Sequence, residues 1–311
     1  MCGIAGIIYS DGTRDVGRDM TRMLQSMKHR GPDSTGYALY GPAKDGLVVM
    51  RYTLADANDP RDFEFHDRIQ RHRHQVESRL KQLGADIKTV AEETEYAYRV
   101  AFAFPNGNMK ELADRVEDVP GCEVLSLGRS LEIVKDLGDA ETVCEQYGLA
   151  GFEGTHAIGH VRMATESDVD ISGAHPYWAY PFSDIAVVHN GQLTNYFQWK
   201  RRLEREGHRF QSECDSEIIA VYLAEKMSGG ASLEDAMRDS LVELDGVFTY
   251  IAVTDGALGV AKDEMAAKPL VLYESDDVVA LASEEIAIRA IVDREIDTHD
   301  PYEGEVMVWQ R

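Results

Sequence analysis

The chain opens on a nearly continuous apolar stretch, Gly3-Ile4-Ala5-Gly6-Ile7-Ile8-Tyr9, whose length and β-branched content predict a short buried strand. After the Asp11-Gly12 turn, Val16, Met20, Met23, Leu24 and Met27 recur at helical spacing. That helix is expected to end at the cations Lys28-His29-Arg30, with Gly31-Pro32 as its stop. A second strand is expected over Tyr37-Ala38-Leu39-Tyr40. Residues 47 to 126 have a different texture: a strand from Leu47 to Tyr52, a charged helix from Asp62 to Leu83, a strand from Tyr96 to Phe104, a helix from Met109 to Val116 and a strand from Glu123 to Leu127. This β-α-β-α-β order predicts a small α+β subdomain inserted at 47–126. Past Gly151, a strand is expected over His156 to Arg162 and another over Ile185 to Val188, running into His189-Asn190-Gly191. Amphipathic helices follow from Leu193 to Gly207 and from Asp215 to Met227, with Asp215 placed as N-cap. The last third alternates short strands with turns: Val247 to Thr254, Leu258 to Ala261, Leu270 to Tyr273 and Val278 to Ala282, before a helix from Glu284 to Val292. Several antiparallel strands with flanking helices predict two packed sheets covered by helix layers.

Composition narrows the classes of function. A formal charge of −23 over 311 residues opposes nucleic-acid binding, which requires clustered cations, and suits solubility or a partner with basic patches. No apolar run approaches the ~18 residues of a membrane span, and the N-terminus lacks the basic-then-apolar pattern of a signal peptide. A cytoplasmic location away from membranes is therefore expected. The four cysteines, Cys2, Cys122, Cys144 and Cys214, are scattered without a CxxC pair, so reduced thiols are expected and no metal site. His66, His72 and His74 sit among Arg68, Arg71 and Arg73, which reads as a solvated cationic helix face.

One residue carries unusual chemistry. If Met1 is removed, Cys2 bears a thiol and an α-amino group on the same residue, and the reference pKa of such an amine is near neutrality, at about 7.7 to 8.0. A thiol with its own base, on a rigid strand, would be an activated nucleophile, although a single early cysteine is more often an inert small hydrophobe. Elsewhere polar residues interrupt apolar settings: Gly159-His160-Val161-Arg162-Met163-Ala164-Thr165, His175-Pro176, and Asn190-Gly191 at a strand end. Taken singly, each also has a bland reading. Arg30-Gly31-Pro32-Asp33 suits an ordinary helix exit, Asn190-Gly191 a turn, and Asp215 a cap.

With Cys2-Gly3-Ile4, Arg30-Gly31-Pro32-Asp33, Gly159 to Thr165, His175-Pro176, His189-Asn190-Gly191 and Asp215-Ser216-Glu217 in this order, the chain resembles the class II glutamine amidotransferases, which are N-terminal-nucleophile hydrolases. Asp245-Gly246, Ala261-Lys262-Asp263 with Lys268-Pro269, and Ala282-Ser283-Glu284 extend the match. The resemblance implies a four-layer αββα sandwich of the α+β class, one amidotransferase domain over 2–311 interrupted by the 47–126 insertion. It implies that Cys2 attacks the side-chain amide of glutamine, releasing ammonia and leaving a γ-glutamyl thioester for water to cleave. Asn190 and the N–H of Gly191 would then form the oxyanion hole. Arg162 and Thr165 would bind the α-carboxylate of glutamine, and Asp215 its α-ammonium. Met163 stands where many relatives carry an aromatic residue, and Glu166-Ser167 replaces their usual His-Gly. No role is assigned to Cys214.

No synthase signature follows the glutaminase region, so the ammonia acceptor is expected on another chain. The Gly159 to Ser167 motif and the insertion look most like the separate glutaminase-like subunits of glutamate-synthase-type complexes, including that of N-methylglutamate synthase. That resemblance implies a hetero-oligomer with a flavin-bearing synthase subunit, with FMN on that partner and no cofactor in this chain. Two alternatives remain open: a stand-alone γ-glutamyl amidohydrolase with water as its acceptor, and a catalytically silent scaffold subunit.

Overall fold

The opening strand is buried along its length because both of its faces are covered. The computed structural model describes residues 2–43, 46–55, 59–105, 107–163, 171–182 and 184–311. In it β1 (Gly3–Tyr9) lies between β8 (His156–Arg162) and β14 (Val278–Ala282) in a six-stranded antiparallel sheet, which β2 (Ser34–Tyr40), β7 (Leu131–Leu137) and β13 (Val271–Glu274) complete in the order β13-β14-β1-β8-β2-β7. A second antiparallel sheet is formed by β9 (Tyr177–Trp178), β10 (Ala186–Leu193), β11 (Gly246–Val253), β12 (Ala257–Lys262) and β15 (Val306–Gln310), in the order β15-β12-β11-β10-β9.

Strand alternation explains how the two sheets pack. Ala186, Val188, Ile251 and Val253 face the first sheet and join its core, whereas Val187, Tyr250 and Ala252 point the other way. That outer face is covered by α5 (Tyr196–Arg205), α6 (Asp215–Ser228) and α7 (Leu233–Glu243). The outer face of the first sheet carries α1 (Val16–Ser26), α4 (Ala140–Tyr147) and α8 (Glu285–Arg289). The result is the four-layer αββα sandwich that the resemblance implies, built on the two packed sheets with helix layers that the element pattern predicts.

Residues 47 to 128 build a third sheet from β3 (Leu47–Thr53), β4 (Asp86–Glu92), β5 (Ala97–Ala103) and β6 (Glu123–Gly128), in the order β4-β5-β3-β6, with α2 (Phe65–Gln82) and α3 (Met109–Glu117) packed on it. The element order here is β-α-β-β-α-β, with one strand more than the sequence pattern suggested. Strand β4 was hidden because its register slips between Ile87 and Thr89, which breaks the period-2 signal. A buried polar knot joins this layer to the first sheet. Glu132 of β7 accepts from Arg51 (2.8 Å) and from Arg99 (2.7 Å), and Arg51 also bonds Glu93. A second clasp is Asp184, in left-handed backbone at φ 59° just before β10, whose carboxylate accepts from the N–H groups of Arg129, Ser130 and Leu131 at 2.8–3.0 Å.

Candidate active site

The sheet order brings the ends of distant segments to one place. Cys2 precedes β1, Arg162 ends β8, Asn190 and Gly191 lie in the second half of β10, and Asp215 begins α6. Antiparallel pairing sets Gly3 against Val161 in the first sheet, and Asn190 and Gly191 against Thr249 and Phe248 in the second. A cleft of about 800 Å³ opens there, and Cys2, Arg162, Met163, Gly191 and Asp215 line it together with the segment 210–214. That volume lies in the upper part of the usual range for small-molecule sites, about 300–1,000 Å³.

The half-buried Cys2 is fixed by its backbone. Its carbonyl accepts from Arg30 Nε at 3.1 Å and from Asn190 Nδ2 at 3.2 Å. Two residues further on, Ile4 N–H donates to Ser283 Oγ at 3.0 Å, and the Ile4 carbonyl accepts from Ser283 N–H at 2.9 Å. Arg30 is held in turn by Glu284, at 2.6 Å, to which His29 also bonds at 3.0 Å. Burial pushes the Glu284 carboxyl upward, but Arg30 and His29 outweigh it and leave Glu284 below the usual carboxylate range. Gly31 is obligatory beside this anchor: a Cβ there would sit 2.5 Å from the carbonyl carbon of Arg162.

Asn190 is buried, and its amide hydrogen toward the Cys2 carbonyl leaves a second N–H for another acceptor. Gly191 adopts φ 149°, and a Cβ would meet the Val247 carbonyl oxygen at 2.2 Å and Phe248 Cα at 2.6 Å. No other residue fits that backbone without displacement. Asp215 does not cap its helix. The cap position belongs to Cys214, and the Asp215 carboxylate instead reaches back to β10, accepting from Leu193 N–H at 2.7 Å. The cap reading failed because the helix begins one residue earlier than Asp215 would require. Thr165 lies outside the described residues.

Behind Asp215 sits a group that the sequence presented only as separate motifs. His160 and His175 stack at 4.1 Å between ring centroids, His175 Nε2 bonds Ser216 Oγ at 2.6 Å, and the same hydroxyl bonds His189 Nδ1 at 2.7 Å. Burial lowers all three histidines; for His160 and His175 the neighbouring histidines and then Arg162 lower them further, and Lys268 adds to the lowering of His189, so that His160 falls to about 3 and His175 well below its ordinary value. For His189 the Asp215 charge pulls in the opposite direction without reversing the shift. The group is thus neutral at physiological pH. Cys214, the second thiol on the cleft, is pushed up by burial and then by the Asp215 charge, which keeps it protonated and a weak nucleophile. The segment 210–214 that forms the wall carried no motif. Among the described residues, Glu206, His208 and Glu225 bring three metal-capable atoms within 4.8 Å of one another, and none of them lines the cleft. Among the described residues no helix is long and apolar enough to cross a membrane.

A family profile described as a glutamine amidotransferase domain matches residues 160–290. The chain is 39% identical over its whole length to a protein of Methanothermobacter thermautotrophicus described provisionally as a glutamine amidotransferase, and the match covers 100% of that protein. It is 35% identical to the glutamine amidotransferase-like protein GlxB of Rhizobium meliloti, across 95% of this chain and 93% of GlxB. Glutamine phosphoribosylpyrophosphate amidotransferase from B. subtilis shares the fold with a TM-score of 0.61 at 20% identity, over 99% of this chain. The chain spans 47% of that enzyme's length.

Proposed function

The chain belongs to the class II glutamine amidotransferases, and from that premise we propose that it is a glutaminase subunit in which Cys2, exposed by removal of Met1, attacks the side-chain amide of glutamine. The observation that carries this reading is the meeting of Cys2, Arg162, Gly191 and Asp215 on one cleft, with the Cys2 carbonyl tied to Asn190. In the proposed sequence, Arg162 pairs with the α-carboxylate of glutamine, assisted by Thr165, and Asp215 accepts from the α-ammonium. These charges of opposite sign orient the amide over sulfur. The thiol passes its proton to the free amine of Cys2 as sulfur adds to the amide carbon. The Asn190 N–H and the Gly191 N–H stabilise the oxyanion. Collapse expels ammonia, which takes the proton from the amine, and leaves the γ-glutamyl thioester. Water then adds, glutamate departs, and the thiol is restored.

The ammonia acceptor is proposed to be a separate synthase chain of the glutamate-synthase or N-methylglutamate-synthase type carrying FMN, docking through part of the acidic surface of a cytoplasmic hetero-oligomer. The strongly negative charge supports a partner with basic patches. The third sheet is read as an insertion within the 2–311 amidotransferase unit. The test is intact-mass spectrometry before and after treatment with the glutamine-analogue electrophile 6-diazo-5-oxo-norleucine. A mass lacking Met1 and a single adduct mapped to Cys2, absent from Cys2→Ala, is the expected result. Retained Met1 with no adduct, even with the synthase chain present, would leave the fold as a scaffold.

A further inference from the structure

The wall of the cleft is held from two sides. On the inner side Glu217, two residues after Asp215, accepts from Gln211 N–H at 2.8 Å, Ser212 N–H at 2.9 Å and the Ser212 hydroxyl at 2.7 Å. On the outer side the contacts come from the third sheet. The Gln211 side-chain amide donates to Glu117, the last residue of α3, and to the Val124 carbonyl of β6 at 3.2 Å, while Val124 N–H donates to the same Glu117 oxygen at 3.0 Å. Arg209 reaches Asp114, one turn earlier on α3, at 3.3 Å. Gln211 and Ser212 line the cleft, whereas Glu117 and Asp114 do not. A helix of the third sheet therefore grips the wall of a site to which it contributes no lining residue.

We propose that Glu117 is a positioning residue for the glutamine cleft, setting the place of the 210–214 wall through Gln211 and so tuning substrate affinity from the third sheet. An ionised Glu117 makes charge-assisted bonds to Gln211 and to Val124 N–H, roughly twice as strong as their neutral counterparts. A protonated Glu117 keeps the geometry with a weaker hold. Burial first, then the neighbouring Glu123 charge, lifts the Glu117 carboxyl to about 7, against the lowering effect of Val124 N–H, Gln211 and Arg209. The other titratable groups facing it are Cys122 before β6 and Tyr180 after β9. Glu123 is itself paired with Lys135 of β7 at 3.0 Å. The hold on the wall therefore changes strength across neutrality, and cleft affinity follows it.

The inference rests on the glutaminase reading only for its kinetic arm. KM for glutamine and kcat are measured from pH 6 to 8.5 for the wild type, Glu117→Gln, Gln211→Ala and the double variant. Wild-type KM is expected to fall about threefold to tenfold as pH rises through 7. Glu117→Gln should hold the acid-side KM at every pH with kcat within twofold, and the double variant should add nothing to Gln211→Ala. A Glu117→Gln profile that tracks the wild type overturns the proposal. Hydrogen exchange of the 207–214 amides needs no turnover. It should be faster in Glu117→Gln than in the wild type at pD 8 and equal at pD 6, and identical rates at both overturn the proposal. Absent turnover with the expected exchange pattern would defeat the glutaminase reading and leave the wall-positioning role standing.

Discussion

Arg30→Lys should separate the aiming of the nucleophile from the binding of substrate. Two nitrogens of one guanidinium serve two partners: Nε donates to the Cys2 carbonyl at 3.1 Å and Nη1 to Glu284 at 2.6 Å. A lysine keeps the charge but has one nitrogen, and it cannot reproduce the planar fork. With the 31%-exposed Glu284 retaining the cation, the bond to Cys2 is the one lost. A hydrogen bond to a charged group is worth about 1.5–3 kcal/mol, and each ~1.4 kcal/mol at the barrier is tenfold in rate, so kcat should fall by about 10- to 100-fold. Arg30 does not line the cleft, so KM for glutamine should stay within about threefold. The assay is steady-state glutamate release, run on protein whose intact mass shows Met1 removed, since a processing defect would mimic lost aim. Arg30→Lys with Cys2 first in the chain and unchanged kcat, or with raised KM and intact kcat, would refute the reasoning.

Three further outcomes are expected. Asp215→Asn preserves an acceptor for Leu193 N–H but removes the charge facing the proposed ammonium site, so KM for glutamine should rise about 10- to 100-fold while an analogue lacking the α-amine is unaffected; equal losses for the two would remove Asp215 from substrate recognition. Gly191→Ala forces backbone movement at Val247 and Phe248 and should cost about 1–3 kcal/mol in urea unfolding and about 10²-fold or more in kcat, whereas a stable, active variant would exclude the N–H of Gly191 from oxyanion stabilisation. Folded His160 stays neutral to about pH 3 while the unfolded chain takes up a proton near 6.5, so its contribution is full above pH 6.5 and is lost on acidification at about 1.4 kcal/mol per pH unit. His160→Phe should flatten urea-midpoint stability between pH 6.5 and 4.5 by about that slope, and parallel curves would contradict the neutral stack.

The parts of the site legible in the sequence were those where one residue type is required at one backbone position. Gly191 and Gly31 stand where any side chain would collide, yet spacing alone reads Gly31 as a helix stop and Asn190-Gly191 as a turn, whereas β10 runs through both to Leu193; the family motifs, not the local pattern, pointed to their place in the site. Strand and helix periodicity exposed the two-sheet core, because Val187 and Val188 must face opposite layers. What was hidden depends on pairings far apart in sequence. Glu284 meets Arg30 across 254 positions, each within a family motif but with no sign of the pairing, and Gln211 meets Glu117 across 94 with nothing local to mark it. Asp184 was equally silent, since a carboxylate that satisfies three backbone N–H groups is recognisable only when the turn at 129–131 has been brought to it.

The neutrality of the buried histidines bears on how the cleft distributes charge. Asp215 accepts from Leu193 N–H and lies 3.4 Å from the Ser216 hydroxyl and 3.6 Å from His189, whose ring is kept uncharged by burial. None of these partners is cationic, so among the described residues the carboxylate is fixed in place by neutral groups. A protonated His189 would supply that missing charge internally and compete with any ammonium entering the cleft. By holding three neighbouring rings neutral and joining two of them through one serine hydroxyl, the fold supports Asp215 mechanically and keeps it on the wall of the cleft. On the proposed reading, substrate binding supplies the cation that folding withholds, which makes the α-ammonium of glutamine a required part of recognition and explains why so many buried polar groups are gathered behind one acid on the cleft.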